Sequence, residues 1–511
     1  MVSKMNPRTL IALLVSGALF GCNSSSDDII EQEHVTQVNI VTANMWQSLM
    51  RNLEGTSDYH IALEEFRHAD ADILLLSEAS GITARIAEQL GMYFWQGHDS
   101  YVTAGIVSKF PIIKVYNDTP SENDAMGGGV GVVVDINGRE VTLWSNHLDY
   151  RNYVVYDARG GDGQAWAARE GCVPVSEADE IDALNLMSSR PSQTQYMLDE
   201  LAPANEQGKA IFIGGDFNES SGLDWTEETA YMFDHNGTVH DFMVHRMIRA
   251  EGYVDSYREL YPNPVTHPGL TWPFHIDDSW TQSKSFIDEC GRGLDDRDRI
   301  DLIYHSQAEG LELLSTSIIG PRAETYFPGP DGNDDLYDWQ DPHSGIMVDE
   351  DGEPYYGPRE FVSDHLWYKA TYNLVTPNTS TEAESLNLNP EFSNLQIAAE
   401  GEELVLTFTL DNWKMWEEDR DYHLVVAGDS TNARLNSDGT YGWQSESLSV
   451  QPNGEFEVRV APEVYNKLKE EGEIDLHSGL QLRAISLVSG WYKQYAVLTI
   501  PTEDIEAVVN L

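Results

Sequence analysis

The chain reads as an α/β (α+β) domain with mixed β-sheets, followed by a smaller all-β domain. Three observations predict this. Short apolar runs alternate with helical stretches and long loops from Val38 to about Val375, a polar segment TPNTSTEAESLNL follows at 376–388, and beyond it apolar or alternating runs recur between Gly, Asn and Asp turns. At 511 residues there is length enough for two domains, each with its own core.

Before the first strand stands a leader. Lys4 and Arg8 precede the apolar run Leu10 to Phe20, which is too short to span a bilayer and ends in Leu19, Phe20, Gly21, Cys22. This pattern resembles a bacterial lipoprotein signal, in which residues 1–21 are removed and Cys22 becomes the lipidated first residue; an ordinary secretory leader with an incidental cysteine is the other reading. Polar and acidic residues to about 37 then form a tether. The expected location is outside the cytoplasm, lipid-anchored to the cell envelope at an outer membrane or cell surface. Membrane contact would come through the anchor only.

In the front domain the predicted strands are VNIVTANMW, DILLLSE, YVTAGIVS, GVGVVVDI, VTLWSNHLD, AIFIGGDFN, RIDLIYHS and FVSDHLWYKATY. INGRE carries an Asn-Gly turn between two β-rich runs and predicts a hairpin. Helices are expected at His60 to Ala69 and Pro191 to Leu201. The cluster Gly127 to Gly129 lacks the following helix and Lys-Ser/Thr of a phosphate loop, and is read as a strand entrance. After the linker, LVLTFTLDNW, YHLVVAGD, FEVRVAP, LQLRAISLV and YAVLTIP predict a small β-sandwich over 389–511. The acidic runs DGNDD and DEDGE lack the spacing of a calcium-binding loop and are read as solvated loops.

With 85 Asp+Glu against 31 Lys+Arg, the formal net charge is -54. Such a field opposes polyanions, so tight duplex binding is disfavoured, although a local cationic patch would still be allowed. Apart from Cys22 the cysteines are Cys172 and Cys290, and export to an oxidising compartment makes a single disulfide between them the expected arrangement, with two free thiols as the other.

The chemistry is concentrated where strands end. Asn44 closes VNIVTAN, Glu78 closes DILLLSE, His147 lies in SNHLD, Asp216 and Asn218 follow IFIGG, Asp301 lies in RIDLIY, and Asp364 with His365 ends FVSDH. Each alone is an ordinary strand terminus or a satisfied polar residue. Together, and in this order, TANMW, LLLSE, AGIVSKFPI, SNHLD, GGDFN, GLTW, RIDLIY and SDH resemble the endonuclease/exonuclease/phosphatase superfamily over residues 38–374. The resemblance implies a four-layered sandwich, two face-to-face mixed β-sheets flanked by helices, with the site at one edge. Ser77 departs from it, since the family commonly has Gln before the metal-binding Glu.

What the resemblance implies for each residue follows phosphoester chemistry, which needs charge neutralised, water activated and the leaving oxygen stabilised. Glu78, helped by Asn44 and with Asp364 on the same side, is expected to hold Mg²⁺, or Mn²⁺ or Ca²⁺ in its place. His365 is the expected general base, oriented by Asp301. Asp216 and Asn218 would position water, phosphate or a second metal, and His147 would donate to the phosphoryl group opposite His365. Arg190 and Gln193 match a structural Arg-x-x-Gln helix of the family.

Substrate identity is less legible. The insertion after His147 offers Arg151, Tyr153, Tyr156 and Arg159, which either line the mouth as cationic and aromatic contacts or pack among themselves. Three functions remain open: a monomeric phosphoesterase acting on small or lipid-derived phosphoesters, an extracellular nuclease, and a surface-binding lipoprotein with an inert front domain.

Overall fold

The computed structural model describes residues 33–46, 58–97, 102–116, 128–274, 279–320, 346–348, 354–356, 361–377, 383–413, 421–428, 443–444, 453–470, 479–488 and 491–508. The predicted leader, Cys22 and the runs DGNDD and DEDGE lie outside them.

Two six-stranded mixed sheets form the front domain. The first runs Leu311–Ile319, Trp367–Pro377, Glu33–Asn44, Ile73–Ser77, Gly105–Ser108, Tyr93–Trp95 across the sheet. In the second the order is Val254–Asp255, Asp301–His305, Ala210–Asp216, Arg139–His147, Gly129–Ile136, Ile112–Val115. Each sheet is mixed because one central pair is parallel: Glu33–Asn44 with Ile73–Ser77, and Arg139–His147 with Ala210–Asp216. The Asn137-Gly138 turn has positive φ at both residues, 52° and 86°, as a tight hairpin between right-twisted strands requires.

The run Ile211, Phe212, Ile213 shows how the layers arise. Side chains alternate faces along a strand, so Phe212 enters the core between the sheets while Ile211 and Ile213 face a second core under the helices. The inter-sheet core includes Ile40, Leu75, Val132, Leu143, Ile303 and Tyr372, all fully buried. Burial at this level contributes about 1.5–3 kcal/mol for each large apolar side chain. Arg190–Glu206 and Met243–Ala250 cover the outer face through Met197, Leu201, Val244 and Ile248. Asp58–His68 covers the other sheet, where Phe66 stacks on Trp367 at 4.7 Å.

The C-terminal residues form two antiparallel sheets, Glu391–Glu400, Glu403–Asp411, Gly454–Val460 and Trp443–Gln444, Asp421–Gly428, Gly479–Val488, Trp491–Pro501. Leu406, Phe408, Leu424, Val426, Leu480 and Leu482 share their core. The sequence reading left out the strand Glu391–Glu400 and the helix Pro462–Glu470, neither of which carries a continuous apolar run.

Two boundaries move. The first strand starts at Glu33, so the last residues of the predicted tether, Glu33 to Gln37, pair with Pro377 to Asn373. The end of the predicted linker is also tied down: Leu386 N donates to Ile112 O at 2.8 Å and Ile112 N donates to Ser385 Oγ at 3.2 Å.

Candidate active site

Strand register alone assembles half of the site. Asp216 lies directly opposite His147 on one neighbouring strand and Asp301 on the other, which places three functional side chains on one rung at the sheet's end. On the facing sheet Asn44 is in register with Ser77, and Glu78 follows at the strand's exit. Gly214 allows the sheets this close, since a Cβ there would lie 2.6 Å from Leu75 Cδ1 on the facing sheet, and Gly215 allows the neighbouring strand of its own sheet to approach. A Cβ at Gly215, whose φ is 126°, would lie 2.1 Å from Asn146 O, so only glycine fits.

Ser77 ties the two sheets together. Its hydroxyl donates to Asn146 O at 2.7 Å and accepts from Asp216 N at 2.9 Å. The departure from the family's Gln therefore replaces one long polar side chain with a short bridge between the strands that carry Glu78, His147 and Asp216. Glu78 itself has φ 52°, a left-handed backbone that costs a non-glycine residue about 1–3 kcal/mol and is held by neighbouring contacts.

Asn44 Nδ2 donates to Asp216 Oδ2 at 2.9 Å and to Glu78 Oε1 at 3.4 Å. Its Oδ1 accepts from Trp46 N at 2.8 Å, which fixes the amide orientation. Asn44 thus turns its nitrogen toward the carboxylates and organises them. Asn218 plays a similar part, with N donating to Asp216 Oδ1 at 2.8 Å and Nδ2 to Leu148 O at 2.9 Å.

His365 is buried, and its Nδ1 lies 2.8 Å from Asp301 Oδ2. An ionised carboxylate only accepts, so the Nδ1 position carries a proton and Nε2 faces Asp216 Oδ2 at 3.8 Å and Asp364 Oδ1 at 4.0 Å. Burial works against an imidazolium here, but Asp301, Asp364 and Asp216 outweigh it and hold His365 up at about 10. Burial pushes Asp216 up to about 6 against the pull of His365, and Asp364 up to about 6 against the same pull with Glu78 assisting. Burial dominates for the two carboxyls, and the neighbouring carboxylates together dominate for the imidazole.

Asp216, Asp301 and His365 each offer a ligand atom within 4.8 Å of the others. Asp301 Oδ1 and Asp364 Oδ1 are buried and accept no hydrogen bond from the described residues. Unpartnered carboxylate oxygens beside Glu78 make a hard, oxygen-rich donor set of the kind Mg²⁺ takes, so the residues present fit a divalent cation. His147 Nε2 is 3.6 Å from Glu78 Oε1, and its Nδ1 is 2.5 Å from Thr103 Oγ1. Trp272 closes a wall, with its ring 6.1 Å from that of His365 and Nε1 donating to Asp364 Oδ2 at 3.4 Å.

Thr103, Trp272 and the bridging role of Ser77 escaped the sequence reading. Trp272 and Ser77 sit inside quoted motifs, GLTW and LLLSE; Thr103 carries no signal beyond its place before the AGIVS strand.

The insertion is corrected. Tyr153, Tyr156 and Arg159 are 3%, 0% and 1% exposed and do not line a mouth. Arg159 Nη1 and Nη2 donate to Asp298 Oδ2 and Oδ1 at 2.6 and 2.9 Å, Tyr153 Oη donates to Asp298 at 3.2 Å, and Tyr156 packs edge-on to Trp280. Only Arg151 of the four keeps an exposed side chain, paired with Asp149 at 2.7 Å. Cys172 is bonded to Cys290. Arg190 donates to Asp149 O, Arg151 O and Asn152 O, and Gln193 Oε1 accepts from Asp149 N, so that helix pins the chain leaving His147.

A two-sheet sandwich with acids and histidines gathered at one edge defines a phosphoesterase- or nuclease-type protein. The chain belongs to the Endonuclease/Exonuclease/phosphatase family, whose model matches residues 41–369. Family members are hydrolases of phosphoesters, typically dependent on a divalent metal. An uncharacterized protein of Caenorhabditis elegans is 28% identical over 243 residues, 46% of this chain and 70% of that protein. Among solved structures, truncated TDP2 of Caenorhabditis elegans matches with 16% identity over 66% of this chain and 97% of that one, at a TM-score of 0.36. The endonuclease/exonuclease/phosphatase of Beutenbergia cavernae matches with 12% identity over 91% and 99%, at a TM-score of 0.33.

Proposed function

We propose that the chain is a divalent-metal-dependent phosphoesterase that hydrolyses small or lipid-derived phosphoesters by histidine-activated attack of water. The observation that carries this reading is the rung His147, Asp216, Asp301, completed by His365 and by acid oxygens that accept no hydrogen bond.

Glu78, Asp364 and Asp216 would hold the ion. A bound divalent cation would neutralise these carboxylates, polarise the phosphoryl oxygen and relieve His365 of the charge that keeps it protonated. Asp301 holds the imidazole so that Nε2 takes the proton from the attacking water. Asn218 and Asn44 keep Asp216 in place beside that water. With Nδ1 turned to Thr103 Oγ1, His147 would present Nε2 as a hydrogen-bond donor to the phosphoryl or leaving oxygen.

Small substrates are favoured over duplex nucleic acid by the net charge of -54, since tight duplex binding rests on neutralising phosphates with Lys and Arg. In this reading the leader exports the chain and Cys22 anchors it as a monomer on the outside of the cell envelope. The test is to incubate the purified protein and Mg²⁺ with bis-p-nitrophenyl phosphate, sphingomyelin and plasmid DNA, each against EDTA. Release from the diester or the lipid supports the reading, cleavage of DNA alone replaces it with a nuclease, and silence on all three overturns it in favour of a binding protein.

A further inference from the structure

The C-terminal domain reaches the catalytic edge of the front domain through one strand, Trp491–Pro501. Lys493 is 1% exposed, and its Nζ donates to Gln96 O at 2.6 Å and Val102 O at 3.3 Å. Its neighbour Gln494 donates from N to Ser80 O at 2.9 Å and accepts at its O from Gln96 Nε2 at 2.5 Å. With its amide turned to satisfy both neighbours, Gln494 Nε2 also donates to Gly81 O at 2.8 Å.

Two of these contacts end near a functional side chain. Val102 precedes Thr103, whose hydroxyl meets His147 Nδ1, and Ser80 lies two residues after Glu78. The two segments are themselves joined, because Ala79 N donates to Thr103 O at 2.7 Å. Burying an ammonium among carbonyls is costly unless its donors are satisfied, so Lys493 fixes the carbonyls it touches firmly. A strained residue such as Glu78 persists only where its surroundings over-determine it.

We propose that Lys493 and Gln494 are positioning residues for the phosphoryl site, setting His147 through Val102 and Thr103 and Glu78 through Ser80. This rests on the phosphoesterase reading above. The C-terminal domain is then a part of the active site's framework, and the front domain alone would carry a loosened catalytic edge. Displacement of a functional group by about 1 Å can cost about a hundredfold in rate.

The interface supplies its own control. At its far end Glu88 accepts from Thr499 N at 3.0 Å and from Thr499 Oγ1 at 2.9 Å. The full chain is compared as wild type, Lys493→Met, Lys493→Arg and Glu88→Ala, reading kcat, KM and Tm on bis-p-nitrophenyl phosphate and amide exchange over 78–82 and 102–105. Lys493→Met is expected to lower kcat about ten- to a hundredfold with KM within about twofold, and Lys493→Arg to recover part of it. Glu88→Ala is expected to lower Tm while keeping kcat. Exchange at both segments should quicken in Lys493→Met alone. Equal loss of kcat in Lys493→Met and Glu88→Ala, in step with Tm, would overturn the proposal, as would unchanged turnover in a folded Lys493→Met. Should the wild type hydrolyse nothing, the phosphoesterase reading fails separately. Exchange then decides the positioning claim, and unaltered exchange in Lys493→Met refutes it.

Discussion

Two polar clusters lie on either side of Trp272, and they are built in opposite ways. Around Asp298, charge is matched: Arg159 grips both carboxylate oxygens, Tyr153 adds a hydroxyl, and Trp225 lies under the guanidinium at 4.8 Å. Around Asp216, charge is unmatched: Asp301, Asp364 and Asp216 itself converge on one buried imidazole, and Asp301 Oδ1 and Asp364 Oδ1 accept no hydrogen bond from the described residues. Arg159 holds Asp298 below the usual carboxylate range although burial opposes it, whereas burial lifts Asp216 and Asp364 to about 6. The Asp298 carboxylate has both oxygens paired within the chain, whereas the acids around His365 leave room for a partner that is not part of it.

That contrast can be broken most sharply at His365. Replacement by Ala is expected to lower phosphoester turnover by about 10²–10⁴-fold while the protein stays folded, measured by diester release and circular dichroism. Asp298→Ala should do the reverse: removal of the partner leaves Arg159 charged and buried, costing about 3–5 kcal/mol in urea unfolding, with KM unchanged in the fraction that remains folded.

A smaller effect is expected at Asp296, fully buried beside Asp298, where Ser279 and Thr281 donate to Oδ2 while Oδ1 accepts no hydrogen bond. Burial lifts its carboxyl from the ordinary 3.8 to about 6. Between these values the folded chain holds a proton that the unfolded chain has released. Its contribution to stability therefore falls as pH rises through that window and stays low above it. Asp296→Asn should gain up to about 3 kcal/mol relative to wild type across the window, a gain that thermal melts at pH 4, 5, 6 and 7 would reveal. A constant difference at all four values would contradict the assignment.

The same contrast explains what was legible in the sequence. Asn44, Glu78, His147 and Asp216 could be found because each follows an apolar run that fixes a strand, Asp301 because it opens one and His365 because it lies just before the strand Trp367–Pro377; register then converts strand ends into neighbours. Tyr153, Tyr156 and Arg159 misled because the partner that buries Arg159 lies 139 residues away, and nothing local separates an arginine facing solvent from one facing Asp298. The orientation of Asn44 depends on a single backbone N–H at Trp46, which no pattern of residue types reveals. Lys493 was equally hidden, since a lysine on a strand after Trp491 and Tyr492 reads as surface until another domain covers it.

The central claim is that the acid-rich edge works with a divalent cation, and metal titration of diester hydrolysis by wild type and Glu78→Gln tests it most directly. The expected result is no release in EDTA, full recovery on adding Mg²⁺, and a requirement for much more Mg²⁺ in Glu78→Gln, whose neutral amide binds a hard cation weakly. Equal rates in EDTA and Mg²⁺, or the same Mg²⁺ dependence in both proteins, would contradict it.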